Sequence, residues 1–242
     1  MNYRILATDY DGTLATDGRV TDPTLAALNR WKAADRQLIL ITGRQFDDLL
    51  RVCSCIDLFD SVVAENGAVL YDPQTQAVKD LGDRPPQAFI DRLRERIVKS
   101  EHPQAVEGEF SNLVTDKGLE WLGVGRVIVA TWVPHDRTVQ DLIQEMELDQ
   151  LQIIMNKGAV MVLPSGIDKT AGLKAALQAL NQPADTVIGV GDAENDADFL
   201  HYCGYAVAVA NALTPLKEQV DWVTEGSRGN GVIELIDRFL AS

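Results

Sequence analysis

Apolar residues along this chain follow two rhythms. Short continuous runs recur at residues 4–9, 37–42, 61–65, 186–191 and 205–209, and Asp, Asn or Gly lies at or just beyond the end of each. Runs of that kind predict strands buried on both faces, as in a parallel sheet. Helical spacings lie between them. Leu25, Leu28 and Trp31 mark a helix over 24–34, and a second helix covers 45–52. Leu173, Ala176, Leu177 and Leu180 mark one over 170–180, and another covers 194–202. Asn66-Gly67 reads as a turn, with residues 68–71 returning from it as a hairpin strand. A further helix, a short strand at 222–223 and a last helix close the chain. Strand and helix alternating in this way predict an α/β fold with a doubly wound, Rossmann-like parallel sheet.

The middle of the chain has a different texture. After Arg84-Pro85-Pro86, a helix carries Phe89, Ile90, Leu93 and Ile97 at helical spacing. Residues 126–133 predict a strand, and 135–147 a helix with Val139, Leu142, Ile143 and Met146 at i, i+3, i+4 and i+7. Residues 151–155 and 159–163 predict two strands around Asn156-Lys157-Gly158. This stretch reads as an α+β module over 84–164, inserted into a core made of 1–83 and 165–242. Residues 100–125 show no period.

Composition narrows the function classes. The 242 residues hold 36 acids against 22 Lys and Arg, a formal net charge of −14, which argues against a nucleic-acid partner. No apolar run approaches the roughly 20 residues that span a bilayer, so no membrane partner is expected. The first apolar run begins at Ile5 and leaves no room for an export leader. Three cysteines, an odd number, suit a reducing compartment and a cytoplasmic location. Cys53 and Cys55 are too close in sequence for an ordinary disulfide, and no third Cys or His accompanies them as a metal site. All three thiols are expected unpaired. His102, His135 and His201 match no ligand spacing, and nothing in the pattern specifies an oligomer.

In an open parallel sheet, ligands bind beyond the carboxyl ends of the strands. The residues just past the strands here are Asp9-Tyr10-Asp11-Gly12-Thr13, Thr42-Gly43-Arg44 and Gly191-Asp192-Ala193-Glu194-Asn195-Asp196, with Asp168-Lys169 at a helix start. Gly12 permits a tight turn that aims Asp9 and Asp11 at one reacting group. Packed carboxylates repel unless protons or a cation relieve them, and a hard divalent ion such as Mg²⁺ suits oxygen ligands. A Thr hydroxyl and a Lys ammonium add donors for an anion. Together these parts fit phosphoryl transfer.

The motifs DYDGTL (9–14), ITGR (41–44), Lys169 in SGIDK and GDAEND (191–196) resemble those of the haloacid dehalogenase superfamily of phosphatases. AENGA (64–68) and AVANA (208–212) resemble it too. The position of the inserted module resembles the type-2B cap of the Cof-like branch, which includes sugar phosphatases, sucrose-phosphate phosphatases and phosphoglycolate phosphatases. The resemblance implies a Mg²⁺-dependent phosphomonoesterase acting on a small phosphorylated metabolite, a sugar phosphate or a phosphoglycolate-like compound. It implies Asp9 as the nucleophile that becomes an aspartyl phosphate. Asp11 would be the acid and base. Thr42, Gly43, Lys169 and Asn195 would hold the phosphoryl group. Mg²⁺ would bind Asp9, the Asp11 backbone carbonyl and Asp192, with Asp196 supporting the metal shell. A phosphomutase on the same scaffold and a non-catalytic sugar-phosphate-binding regulator are the alternatives. Every catalytic position is filled, which favours an enzyme.

Arg44 either contacts the substrate or salt-bridges to a helix, Glu65 and Asn66 lie where the substrate is expected, and Asn156 and Lys157 sit in a cap turn that can reach the leaving group. Trp132 reads as packing. Glu194 and Asp198 fit the first turns of a helix, where the macrodipole favours acids. Residues 84–164 carry a net −3 and the core −11. An acidic core that binds an anionic phosphate needs local positive charge.

Overall fold

The structure, a computed structural model, describes residues 3–99, 114–115, 118–119 and 121–241. The chain runs β1 (Ile5–Asp9), α1 (Asp22–Ala33), β2 (Gln37–Ile41), α2 (Phe46–Val52), β3 (Ser61–Ala64), β4 (Val69–Asp72) and β5 (Ala77–Asp80). There follow α3 (Gln87–Lys99), β6 (Val114–Thr115), β7 (Gly118–Leu119), β8 (Gly123–Val124), β9 (Val129–Trp132), α4 (Asp136–Glu145), β10 (Leu151–Asn156) and β11 (Ala159–Pro164). The last elements are α5 (Lys169–Leu180), β12 (Val187–Gly191), α6 (Ala197–Tyr202), β13 (Tyr205–Ala208), α7 (Thr214–Lys217), β14 (Trp222–Val223) and α8 (Gly229–Leu240). Two compact units result: Met1–Leu81 with Ile167–Ser242, and Gly82–Gly166.

The first unit is built on an eight-stranded sheet of order β14-β13-β12-β1-β2-β3-β4-β5. The strands from β14 to β3 run parallel, whereas β4 and β5 are antiparallel additions at one edge. Every residue of β1 and β12 is buried, as unbroken apolar runs require. Ile5, Ala7, Ile39, Ile41 and Val63 share a core with Leu173, Ala176 and Leu177 of α5 and Phe199 and Leu200 of α6. Leu6, Leu38 and Leu40, at the alternate positions, are equally buried and face the other side of the sheet. Each such side chain contributes roughly 1.5–3 kcal/mol through burial.

Three local expectations change. On α1 the buried stripe is Thr24, Ala27, Leu28 and Trp31, while Leu25 is half-buried. Trp31 fixes that rotation, because its Nε1 donates to the Gln37 carbonyl at 2.9 Å. The edge strand β5 has four exposed residues and so no hydrophobic signal to read. Residues 194–202 are not one helix: a 3-10 turn, Glu194–Asp196, precedes α6. Asp196 turns its carboxylate back to the backbone N–H groups of Asp192 and Ala193, at 2.8 and 2.9 Å, which tightens this turn.

In the second unit an antiparallel sheet of order β10-β11-β9-β8 packs on two helices. Phe89, Ile90, Leu93 and Ile97 of α3 and Val139 and Leu142 of α4 meet Val129, Val160 and Val162. The strand expected across 126–133 is the shorter β9, since a turn closed by Gly125 N–H on the Ile128 carbonyl separates it from β8. His135 is buried with its ring edge-on to Trp121, and Trp132 is half-buried. His102 and most of 100–125 lie outside the described residues. Among the described residues no helix is long and apolar enough to cross a membrane.

Candidate active site

The parallel order of β12, β1, β2 and β3 places four loops side by side beyond their carboxyl ends. Asp9 ends β1, Thr42 follows β2, Glu65 follows β3 and Asp192 follows β12. The carboxylates of Asp9, Asp192 and Asp196 offer oxygens that lie within 4.8 Å of one another, and all three residues are buried. Lys169, at the first position of α5, reaches into this group. Its Nζ donates to Asp9 Oδ1 at 2.7 Å and to Asp196 Oδ1 at 2.6 Å, and only 2% of the residue is exposed.

Gly12 allows the β1 and β12 loops to approach this closely. Its φ is +85°, and a Cβ there would lie 2.3 Å from Asp192 Oδ2. Two further residues hold Asp192, neither of them anticipated as a site residue. The Thr13 hydroxyl donates to Oδ1 at 3.2 Å, and Asn211 Nδ2 donates to Oδ2 at 3.3 Å and to the Gly12 carbonyl at 2.8 Å. Asn211 lies within the AVANA motif, which is the one signal in the sequence that points to it.

Charge in this cluster is unbalanced. Three buried carboxylates face one ammonium. Burial, reinforced by the Asp196 and Asp192 charges, holds the Asp9 carboxyl well above the ordinary carboxylate range, and Lys169 offsets this only in part. Burial alone would lower the Lys169 pKa, but Asp196 and Asp9 outweigh it and keep the ammonium charged. The donor set is all hard oxygen with about two negative charges in excess, which fits a divalent cation. Asp196 engages both of its oxygens with Lys169 and the backbone at 2.6–2.9 Å, whereas those of Asp192 accept from Thr13 and Asn211 at the longer distances of 3.2 and 3.3 Å, so Asp9 and Asp192 are the less tightly engaged ligands. The Asp11 carboxylate stands apart from this trio.

Of the two roles open to it, Arg44 takes the salt bridge to a helix. Its Nε and Nη2 each donate to Asp11 at 2.7 Å, and its Nη1 donates to Asp48 Oδ2 at 2.5 Å. A guanidinium matched by two carboxylates has little left for a ligand. Arg44 therefore positions Asp11, whose side chain is 39% exposed. Glu65, expected at the substrate, is fully buried, and its Oε1 accepts the Phe46 N–H at 3.2 Å. It satisfies an orphan donor at the start of α2, where Gln45 supplies no side-chain cap.

Asn66 belongs to the site in a different way. Glu65 and Asn66 both have positive φ, and this tight turn ties the loops after β2 and β3 together. The Asn66 N–H donates to the Thr42 carbonyl, and the Glu65 N–H to the Arg44 carbonyl, both at 2.9 Å. Asn195 Nδ2 donates to Asn66 Oδ1 at 2.8 Å, which leaves Asn66 Nδ2 and Asn195 Oδ1 buried without partners among the described residues. Thr42 is buried, with its Oγ1 accepting the Arg44 N–H at 3.1 Å, and Gly43 beside it is half-buried. Asn156 and Lys157 lie in the second unit, at the end of β10 and in the turn after it; Asn156 Oδ1 is buried and Lys157 is exposed.

Gly67 closes the turn with φ +104° and lies against the start of α5. A Cβ there would sit 1.8 Å from the Asp168 carbonyl oxygen. Gly67→Ala must therefore push α5, and Lys169 with it, away from Asp9. It is expected to destabilise the fold by roughly 2–4 kcal/mol, measured by denaturant unfolding. An unchanged stability would mean that the turn and α5 are not packed as described.

A buried aspartate trio with one lysine, on the carboxyl edge of a parallel α/β sheet, is suited to holding a cation and a phosphoryl group together. The sequence profile of haloacid dehalogenase-like hydrolases matches residues 6–107 and 127–236, and the chain belongs to that family. A phosphoglycolate phosphatase of Haloarcula marismortui is 30% identical over 239 residues, covering 96% of this chain and 95% of its own. A Thermoplasma acidophilum protein of solved structure superposes with a TM-score of 0.75 at 17% identity over 100% of both chains. A HAD subclass IIB sugar phosphatase does so with 0.73 at 18%, over 99% of this chain and 100% of that one. The chain is a HAD-type phosphatase.

Proposed function

We propose that this phosphatase is a Mg²⁺-dependent phosphomonoesterase, and that it removes phosphate from a small phosphorylated hydroxy acid of the phosphoglycolate type. The observation that carries the reaction is the pairing of Asp9 with Lys169 inside a carboxylate cluster of excess negative charge. Support for the substrate class is the name of the Haloarcula relative, which aligns along nearly the whole chain.

Lys169 bonds Asp9 Oδ1, which leaves Oδ2 to attack phosphorus. The phosphorus–oxygen bond to the leaving alcohol breaks as the Asp9 acyl phosphate forms. Asp11, released from Arg44 and protonated from solvent, gives that proton to the alcohol, then takes one from the water that hydrolyses the acyl phosphate. To do so it must exchange its bond to Arg44 for the substrate oxygen, and Arg44, anchored by Asp48, is in place to receive it back. Lys169, the Thr42 hydroxyl and the free Asn66 Nδ2 hold phosphoryl oxygens and offset their charge. A cation held by Asp9 and Asp192, with Asp196 behind them, would supply Lewis-acid stabilisation of the phosphoryl group. The three free cysteines suit a reducing, cytoplasmic setting.

Phosphate release from a panel of phosphorylated metabolites with Mg²⁺ tests this reading. The expected result is the highest kcat/KM for phosphoglycolate, about tenfold or more above hexose phosphates. A preference for hexose phosphates would replace the substrate class while leaving the reaction intact. Isomerised sugar phosphate without free phosphate would indicate a mutase.

A further inference from the structure

Cys53 and Cys55 take no part in the chemistry above. They flank the exposed Ser54 in the turn after α2, both are buried and reduced, and their sulfurs are 3.8 Å apart. Tyr10, the residue between Asp9 and Asp11, lies against them. Its buried hydroxyl donates to the Gly18 carbonyl at 3.0 Å, and the guanidinium of Arg44 lies 5.7 Å from its ring centre. After burial, the nearby sulfurs are the main influence holding the Tyr10 phenol above its ordinary pKa. The sulfur pair is thus separated from the Asp11–Arg44 contact by a single side chain.

We propose that Cys53 and Cys55 form a reversible dithiol–disulfide switch, closed by a small-molecule disulfide, that acts on the acid site through Tyr10. The Cys55 thiolate attacks the oxidant, forming a mixed disulfide and releasing one thiol. The Cys53 thiolate then attacks the Cys55 sulfur, forming the internal bond and releasing the second thiol. The protein loses two electrons and two protons, which the oxidant takes up as two thiols. Cys55 is the better first nucleophile, because the Cys53 S–H donates to it and lowers its pKa, and it is the more exposed of the two.

Closing the bond brings the sulfurs from 3.8 Å to about 2.05 Å, and the two side chains beside Tyr10 must share that approach. A ring formed across a single intervening residue is strained, which makes the bond easy to reduce and suits switching over permanent reinforcement.

The bond is independent of the phosphatase reading, whereas its effect on turnover rests on that reading. The full chain is treated with oxidised glutathione, alkylated, mapped by mass spectrometry and followed by hydrogen exchange. Phosphate release is measured in parallel. The peptide holding both cysteines is expected to lose two hydrogens, and exchange over residues 9–18 should change. Turnover should fall roughly tenfold or more, and dithiothreitol should restore it. Cys55→Ser should resist the oxidant, while Cys203→Ser should respond like the native chain. Free thiols at both positions after treatment, a stable mixed disulfide, unchanged exchange over 9–18, or inactivation that persists in Cys55→Ser would each overturn the proposal. A reduced protein without turnover would instead count against the phosphatase reading, while the mapped bond and the exchange would still decide the switch.

Discussion

Asp9→Asn is expected to abolish phosphate release, by at least about 10³-fold in kcat, without unfolding the protein. An amide cannot form the acyl phosphate, yet it keeps the shape of the side chain. Its effect on stability follows from the charge of the cluster. The folded, metal-free protein holds a proton on Asp9 that the unfolded chain gives up above the ordinary carboxylate value. Stability of the metal-free protein therefore falls as pH rises from that value through the raised one of the folded state, and returns on acidification. Lys169, raised in the fold, adds stability across this whole window, since the ammonium stays charged in both states. Asp9→Asn removes the Asp9 contribution, so its thermal midpoint should fall less than the native one as pH rises above the ordinary carboxylate value. Equal slopes would mean that Asp9 does not carry the strained charge. Residual turnover within tenfold of native would remove it as nucleophile.

Chelation of divalent cations should be nearly as damaging. Without a cation, burial and the Asp196 and Asp192 charges hold the Asp9 carboxyl above its ordinary pKa, which favours the proton over the nucleophilic carboxylate, and the neighbouring carboxylates repel the incoming phosphate. Turnover is expected to drop by roughly 10²–10³-fold, and added Mg²⁺ should restore it. Phosphate affinity should collapse in the same titration, because Lys169 alone offsets little of the charge of Asp9, Asp192 and Asp196. Asp192→Asn should show the same loss without recovery at ordinary Mg²⁺ concentrations. Full activity in the chelated native protein would overturn the metal requirement. Full activity in Asp192→Asn would leave the requirement and remove that ligand.

The acidic balance of the chain becomes clearer at the site. The core carries most of the excess negative charge, and three of its acids share one buried ammonium. Charge that argues against a polyanion partner at the level of composition becomes, at the level of 4.8 Å, a demand for a cation.

Particular elements show what was legible. The runs at β1, β2, β3 and β12 are continuous and apolar, so they mark buried parallel strands without ambiguity. β5 has four exposed residues, and no pattern of burial could announce it. The partners of Arg44 and Glu65 were not legible, for a common reason. Both stand at a strand end that faces the site, but the sequence does not say which neighbour takes a long polar side chain. Asp48, one turn along α2, takes part of Arg44, and the start of that helix takes Glu65.

By itself, then, the sequence determined the parallel core and the acids, hydroxyl and lysine at its carboxyl edge. Those follow from hydrophobic periodicity and from a topology that collects strand ends in one place. Only the tertiary structure decided the pairings: Asp11 with Arg44, Asn66 with Asn195, Asn211 with Asp192, and Cys53 beside Cys55 and Tyr10. Most of these join residues far apart in the chain. They depend on left-handed turns at Glu65 and Asn66 and on close approaches at Gly12 and Gly67. Local periodicity carries no information about such contacts, because packing of the whole sheet brings their partners within bonding distance.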